Sequence, residues 1–286
     1  MHSATLARSV RLFRAFRNEQ TDRDTFYRVL AADSADQVAV HAPLDGSLLL
    51  DVGGGPGYFS DAFRARGATY VGIDPDAGEL SARGVPGQNM LRANGTRLPV
   101  RTGSVDVCYS SNVLEHVSTP DVMLAEMVRV TKPGGTVFVS FTPWWSPWGG
   151  HETSPWHYFG GHYAARRYTG HHGHEPKNRY GTSLFAYSVG AALRWAAARE
   201  DATLVRAFPR YHPWWACWVV RVPGLRELVS WNAVLVLRKG RGRPSGAPDL
   251  SGHAWVTPVL SPSSAPVRSS SAVPGRRSPA GRSTAR

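Results

Sequence analysis

An α/β protein built on a doubly wound parallel sheet is what the sequence predicts, and three observations carry that expectation. An apolar run, Leu48-Leu49-Leu50, leads into Asp51-Val52-Gly53-Gly54-Gly55-Pro56-Gly57, a strand feeding a glycine turn. A second strand pattern, Thr69-Tyr70-Val71-Gly72-Ile73, ends in Asp74. From residue 47 onward, strand-length and helix-length apolar patterns alternate, the order of elements that gives a parallel sheet covered on both faces.

Residues 5–40 read as helical, because Leu6, Val10, Phe13 and Phe16 recur at helical spacing with Arg8, Arg11, Arg14 and Arg17 beside them. With its arginines solvated, this stretch is an N-terminal helical cap over residues 1–44. The sharper alternative is an anchor for an anionic membrane surface or an acidic substrate. The sheet region follows as strand 47–52, helix 57–66, strand 69–73, a short helix at 76–82, strands 89–93 and 104–110, helix 120–131 and strand 135–141. Right-handed crossovers place the functional loops at one sheet edge. A helix over 183–199 and strands 202–208 and 231–238 come last. The connections 143–182 and 209–230 are long for a compact domain, and such connections usually carry function.

Composition narrows the function classes. A chain of 286 residues, 42% of them apolar, suits one α/β domain with appendages. Cys108 and Cys217 encode neither a disulfide framework nor a thiolate cluster, and a reducing cytoplasm is the expected home. No apolar segment reaches the about 18 residues needed to cross a bilayer, and the N-terminus lacks the apolar core of a secretory signal. The expected location is therefore cytoplasmic, with peripheral contact at the inner face of the membrane as its extension. From Gly240 to Arg286, seven arginines against one aspartate hold half of the formal net charge of +12. That Pro/Ser/Arg-rich stretch, 240–286, is too poor in large apolar residues to offset ordering entropy and reads as a disordered tail. Charge concentrated there disfavours a nucleic-acid partner.

The glycine turn itself discriminates between cofactors. A dinucleotide fingerprint needs a third glycine, and Tyr58 stands there when counting begins at Gly53. Asp74 at a neighbouring strand tip is placed to accept both hydroxyls of a ribose. Two acids around a glycine turn suit a cationic nucleoside better than a pyrophosphate, which disfavours a nicotinamide dehydrogenase.

Five ordered motifs carry a resemblance. Asp51 to Gly57, Asp74, Arg97-Leu98-Pro99, Ser111-Asn112-Val113-Leu114-Glu115-His116-Val117 and Arg129-Val130-Thr131-Lys132-Pro133-Gly134-Gly135 resemble the class I S-adenosylmethionine-dependent methyltransferases, over roughly residues 45–142. Beyond Phe141, Gly149-Gly150-His151-Glu152, Pro209-Arg210-Tyr211-His212-Pro213 and Trp231-Asn232 resemble a smaller bacterial methyltransferase group. The resemblance implies a seven-stranded Rossmann-like sheet over 45–239 with its last strand antiparallel, and insertions forming the acceptor side. It implies S-adenosylmethionine as cofactor, held by Asp51, Gly53, Gly55, Gly57, Asp74, Asn94, Gly95, Ser111 and Asn112. The Asn94 amide oxygen is expected to meet the adenine amino group, although Asn94-Gly95 is also a natural turn.

Methyl transfer by in-line displacement needs no metal, and a histidine is the natural base for an acceptor that must lose a proton. His151 and Glu152, after the fifth strand, and His116, after the fourth, are the candidates. Six of the eleven histidines fall between 151 and 174, but His171-His172-Gly173-His174 lacks an i, i+4 pair, so a hydrogen-bonding lid over substrate is expected there, no metal ligands are assigned, and a metal is the minority alternative. Tryptophans crowd the two long connections. Trp144, Trp145, Trp148, His157, Tyr211, Trp214 and Trp215 are read as walls of an apolar acceptor pocket or as an interfacial surface. The leading expectation is methyl transfer to a small-molecule or lipid-linked acceptor. A non-catalytic S-adenosylmethionine-binding accessory protein is the alternative, and an RNA or DNA methyltransferase ranks below it, since Val113 and Leu114 stand where a base-amino enzyme has prolines.

Overall fold

The apolar runs fold in the order their pattern implies. A computed structural model describes residues 4–17, 22–82, 84 and 89–240, the Arg23 side chain excepted. β1 (Leu48–Val52), β2 (Thr69–Asp74), β3 (Met90–Arg92), β4 (Val105–Ser111), β5 (Thr131–Phe141), β6 (Ala202–Pro209) and β7 (Ala233–Lys239) form one sheet in the order β3-β2-β1-β4-β5-β7-β6. β1 to β5 pair in parallel, and β7 runs antiparallel to both β5 and β6. The order reverses between β1 and β4, and a crevice at such a reversal is where open α/β sheets bind ligands. Ala233 faces both Phe141 and Pro209, so the segments leaving β5 and β6 emerge at the edge where β1, β2 and β4 end.

Successive strand residues serve opposite faces. Leu49, Tyr109, Phe138 and Val234 pack with Leu30 and Val38 of α2 (Arg23–His41) and Phe63 of α3 (Ser60–Arg64). Leu50, Cys108, Val137, Val139 and Leu235 pack with Met123 and Met127 of α5 (Pro120–Val130) and Val189 and Ala192 of α7 (Val189–Ala197). Burial on both faces is why β1 reads as an unbroken apolar run.

All seven expected strands are present, and the differences lie at helix ends and in the long connections. Helix 57–66 is shorter, because Gly53 to Phe59 stay in the turn and α3 begins at Ser60. Helix 183–199 starts late: Ser188 caps α7 by accepting from Ala191 N–H, and the residues before it run as turn and extended chain. β5 starts earlier than 135 because Thr131 already pairs with Val105. The interval 143–182 holds 3₁₀ turns at His151–Thr153 and Trp156–Phe159 and a helix, α6 (Gly161–His172). The interval 209–230 holds a 3₁₀ segment at Trp214–Arg221 and α8 (Leu225–Val229). α4 (Ala77–Leu80) is the short helix after β2.

The helical N-terminal stretch is two helices, α1 (Leu6–Arg17) and α2. Its arginines do not all face water. Arg8 is buried and forks onto Asp33 of α2, with Nε and Nη2 donating to the carboxylate at 2.6 and 2.7 Å. The apolar stripe is also turned outward in part: Leu6, Val10 and Phe13 are exposed, while Leu12 is buried. Periodicity assigns an apolar face but not which element covers it. Among the described residues, no helix is long and apolar enough to cross a membrane. The tail expected over 240–286 lies, Gly240 apart, outside the described residues.

Candidate functional site

The glycine turn after β1 is fastened from below and open above. Gly53 and Gly54 N–H both donate to the Ile73 carbonyl, at 2.7 and 3.0 Å, which hangs the turn on β2. Gly53 has φ +82°, and a Cβ there would lie 2.3 Å from Val113 Cγ2. Gly55 has φ +50°, and a Cβ there would meet nothing within 4 Å. The turn is thus packed tightly at Gly53 and bare at Gly55, where a ligand lying against the main chain finds room.

The two acids occupy different layers. Asp74 closes β2 and binds the turn: its Oδ2 accepts from Gly55 N–H at 3.0 Å and its Oδ1 from Asp76 N–H at 2.9 Å. Each oxygen retains a second lone pair, the capacity a ribose diol needs. Burial raises the Asp74 carboxyl above its ordinary range, opposed by these two backbone hydrogen bonds. Asp51, by contrast, is sealed under the turn with 0% exposure, and its Oδ2 accepts from Tyr70 Oη at 2.6 Å. Expected as a cofactor ligand, it instead forms the floor beneath Gly54, whose added Cβ would meet Tyr70 Oη at 3.1 Å and Asp51 Oδ2 at 3.3 Å.

That burial has a measurable consequence. Desolvation pushes the Asp51 carboxyl up to about 7, despite the Tyr70 hydrogen bond, and the Asp74 charge adds to the rise. The unfolded chain releases this proton near its ordinary value, about 4. Between about pH 4 and pH 7 the folded state therefore holds the extra proton, and the Asp51 contribution to stability is lost as pH rises through that window. Urea unfolding at about pH 5 and pH 7.5 is expected to show this loss, and Asp51→Asn to abolish it. A slope of equal size in the variant would contradict the assignment.

Around the rim, the expected residues divide. Both lone pairs of the Asn94 amide oxygen are engaged by Thr96, whose N–H and Oγ1–H donate at 2.9 Å each. The Asn94 oxygen is thus a turn-former with no lone pair left for an adenine amino group, and Gly95 packs beside Val52 and Met123. Ser111 and Asn112 end β4 at the crevice, with Asn112 at φ +57° and its Oδ1 accepting from Asn232 Nδ2 at 2.7 Å. Tyr58, at the missing third glycine, stacks on Tyr27 of α2 with ring centroids 4.3 Å apart.

Beneath Ser111 lies a buried arginine. Arg210, from the Pro209-Arg210-Tyr211-His212-Pro213 motif, is 1% exposed. Its Nη1 donates to Ser111 Oγ and Ser140 Oγ at 2.7 and 2.8 Å, and its Nη2 to Ser34 Oγ and Tyr109 Oη. The Arg210 carbonyl in turn accepts from Arg8 Nη2 at 3.0 Å. Arg8 and Arg210 thereby tie α1, α2, β4 and β5 together under the crevice. The serines at both strand ends were the available signal, since buried hydroxyls in apolar strands require partners.

On the acceptor side, His116 and His151 come together, with ring centroids 5.0 Å apart and an interplanar angle of 61°. Glu115, absent from the expected set, joins them. Glu152 does not: it is exposed, and its Oε1 accepts from Asn178 Nδ2 at 2.9 Å. Burial pushes the His151 imidazole down to about 3. Trp144 and His157 are interior: Trp144 rests on His157 and Tyr180, and His157 Nε2 donates to the Ser146 carbonyl at 3.1 Å. The Gly149-Gly150 pair serves this packing, since a Cβ on Gly149 would lie 1.9 Å from the Trp144 carbonyl oxygen. Trp145, Trp148, Trp214 and Trp215 are exposed, and Tyr211 is half-buried. These indoles thus face solvent, and Trp214 also borders a cavity. A cavity of about 190 Å³ lies under α1, lined in part by Arg8, Gln37, His41, Arg206, Arg210 and Trp214.

Comparison with known proteins follows the same lines. A methyltransferase domain family is matched over residues 50–139, the stretch from the glycine turn through β5. An uncharacterized methyltransferase of Mycobacterium sp. (strain KMS) is 54% identical over 243 residues, covering 82% of this chain and 96% of the relative. One from Mycolicibacterium gilvum (strain PYR-GCK) is 51% identical over 245 residues, covering 82% and 95%. Among solved structures, an S-adenosylmethionine dependent methyltransferase from Mesorhizobium loti aligns with a TM-score of 0.49 at 18% identity, covering 72% of this chain and 98% of that one. Half-identity across nearly the full length of the relatives is decisive, and the chain belongs to their methyltransferase family.

Proposed function

We propose that the chain is an S-adenosylmethionine-dependent methyltransferase whose acceptor is lipid-linked or otherwise amphipathic and is met at an anionic membrane surface. The cofactor assignment rests on the glycine turn, bare at Gly55 and fastened to Asp74, whose two oxygens keep the lone pairs that a ribose diol takes up. When bound there, S-adenosylmethionine supplies an activated methyl group for in-line displacement. The residues of the chain contribute alignment, an effect worth up to ~7–11 kcal/mol in well-oriented reactions. Asp74 holds the turn and offers the ribose contacts. Arg210 and Asn232 hold Ser111 and Asn112, which keeps the end of β4 in register with the turn.

One observation carries the acceptor class. Trp214, Trp215 and Trp218 are 69%, 57% and 52% exposed on a single 3₁₀ segment. That segment adjoins α1, since Trp214 N–H donates to the Ala4 carbonyl. α1 brings exposed Leu6, Val10 and Phe13 together with exposed Arg11, Arg14 and Arg17. Indoles beside arginines form the usual composition of a segment resting at a headgroup boundary, apolar rings inserted and guanidinium groups on phosphates. A chain resting on a membrane through this surface meets a lipid-linked acceptor where the bilayer presents it.

Vesicle flotation tests the surface. The chain is expected to float with vesicles containing anionic phospholipid and to stay behind with zwitterionic ones. Replacing Trp214, Trp215 and Trp218 together by alanine is expected to weaken that association at least ~10-fold, from the apolar area withdrawn from the bilayer. Equal flotation of wild type and triple variant would refute the surface assignment. Comparing lipid extracts of deletion and complemented cells grown on methyl-labelled methionine then identifies the acceptor.

A further inference from the structure

Three side chains converge at the acceptor ends of β4 and β5 in a way that methyl transfer alone does not explain. Glu115 and His116 lie on the 3₁₀ turn Leu114–His116, after β4, and His151 opens the turn His151–Thr153, after β5. One ligand atom from each lies within 4.8 Å of the other two.

Their hydrogen bonds leave basic atoms unmatched. Glu115 is 1% exposed; its Oε1 accepts from Thr142 N–H at 3.0 Å, while its Oε2 is buried without a hydrogen-bond partner. His116 Nδ1 lies 2.7 Å from the Ser183 carbonyl, which only accepts, so Nδ1 carries the hydrogen and Nε2 of the neutral ring presents a lone pair. His151 Nε2 is likewise buried without a partner. A carboxylate oxygen left buried without a partner costs several kcal/mol, on the order of 2–7 even for a neutral polar group. A single cation among the three satisfies them together.

We infer that Glu115, His116 and His151 form a binding site for one divalent transition-metal ion of the zinc type. Two imidazole nitrogens with one carboxylate oxygen select zinc and its neighbours over magnesium or calcium, which prefer all-oxygen shells. Ligands about 2.1 Å from a tetrahedral zinc ion lie about 3.4 Å apart, so side-chain rotations on the order of 1 Å close the set. The hydrogen bond from His116 to the Ser183 carbonyl is the outer contact that orients a metal-bound imidazole. Three protein ligands leave a fourth position open, the arrangement of a catalytic rather than a structural site. Resting on the transferase reading, that position takes an oxygen of the acceptor and lowers its pKa. The residues expected to supply a general base, His116 and His151, are then metal ligands, and Glu115 rather than Glu152 is their acidic companion.

Metal binding is testable without turnover. Full-length protein without a histidine tag, stripped with chelator and dialysed, is titrated calorimetrically with Zn²⁺ and, separately, with S-adenosylmethionine. One zinc per chain is expected, with Co²⁺ giving visible absorption of tetrahedral character. Glu115→Gln and His151→Ala are expected to weaken zinc binding at least ~10-fold, in the range seen when a ligand's support is removed, while S-adenosylmethionine affinity and the far-ultraviolet circular dichroism stay at wild-type values. His172→Ala, in the separate cluster at the C-terminal end of α6, is expected to leave zinc binding unchanged. Failure of the wild type to bind Zn²⁺ or Co²⁺ would overturn the site. Zinc binding lost with His172→Ala and kept in Glu115→Gln and His151→Ala would overturn it as well. Loss of S-adenosylmethionine binding in the wild type would instead fault the cofactor assignment and leave the metal result standing.

Discussion

Replacing Asp74 by alanine is expected to weaken S-adenosylmethionine binding at least about 100-fold while the chain stays folded, because two hydrogen bonds to a charged acceptor contribute about 1.5–3 kcal/mol each. The side chain has two roles at one place. Its Oδ2 holds Gly55 N–H and its Oδ1 holds Asp76 N–H, and the remaining lone pairs are those assigned to the ribose. Calorimetry with S-adenosylmethionine and with S-adenosylhomocysteine reads the loss directly. Both ligands are expected to weaken to a similar extent, since the nucleoside is common to them and the sulfonium charge is not. Asp74→Asn retains one acceptor oxygen and is expected to fall between wild type and alanine. Affinities within about threefold of wild type for Asp74→Ala would remove the ribose from this strand tip, because one such hydrogen bond alone exceeds that factor.

Arg8→Ala is expected to cost about 3–5 kcal/mol of folding stability, the range for removing one partner of a buried ion pair. The Arg8 and Asp33 side chains are 5% and 0% exposed, and the guanidinium grips both carboxylate oxygens. Removal takes the bidentate partner from the Asp33 carboxylate, to which Gln37 Nε2 also donates at 3.0 Å. It also removes the donor to the Arg210 carbonyl, so the support under Ser111 loosens. Urea unfolding at neutral pH measures the cost. Pairing Arg8→Met with Asp33→Leu is expected to recover most of it, since an apolar pair of similar volume requires no desolvation of charge. A single variant as stable as wild type would mean that the pair is not buried in solution. The effect is expected to reach the site as well: weaker flotation and weaker cofactor binding together would mark α1 as part of the same unit.

The sheet was legible because its signals are local. Leu48-Leu49-Leu50, the β-branched and aromatic runs at 69–73 and 104–110, and the glycine and proline punctuation between them report strand and turn within a few residues. The crevice was legible for the same reason, since Asp51 to Gly57 and Asp74 each sit at the end of a strand whose place in the sheet follows from chain order. Even there, spacing alone did not separate the two acids. Asp74 reaches the turn from the side, and Asp51 faces Tyr70 under it, because Asp51 is in register with Gly72, two residues before Asp74 on β2.

What the sequence determined by itself was the α/β class, the seven strands and the glycine turn, all consequences of short-range backbone preference and of strand-length apolar runs buried on both faces. Tertiary structure alone decided which polar side chains meet. Arg8 turned inward because Asp33 lies one helix away, Arg210 went under the crevice because serines of two strands await it, and Glu115 met His151 only once β4 and β5 paired. An arginine or a histidine looks the same in sequence whether it is solvated or buried. The cost of burial is repaid by partners distant along the chain, and those partners are set by how the sheet and its connections pack.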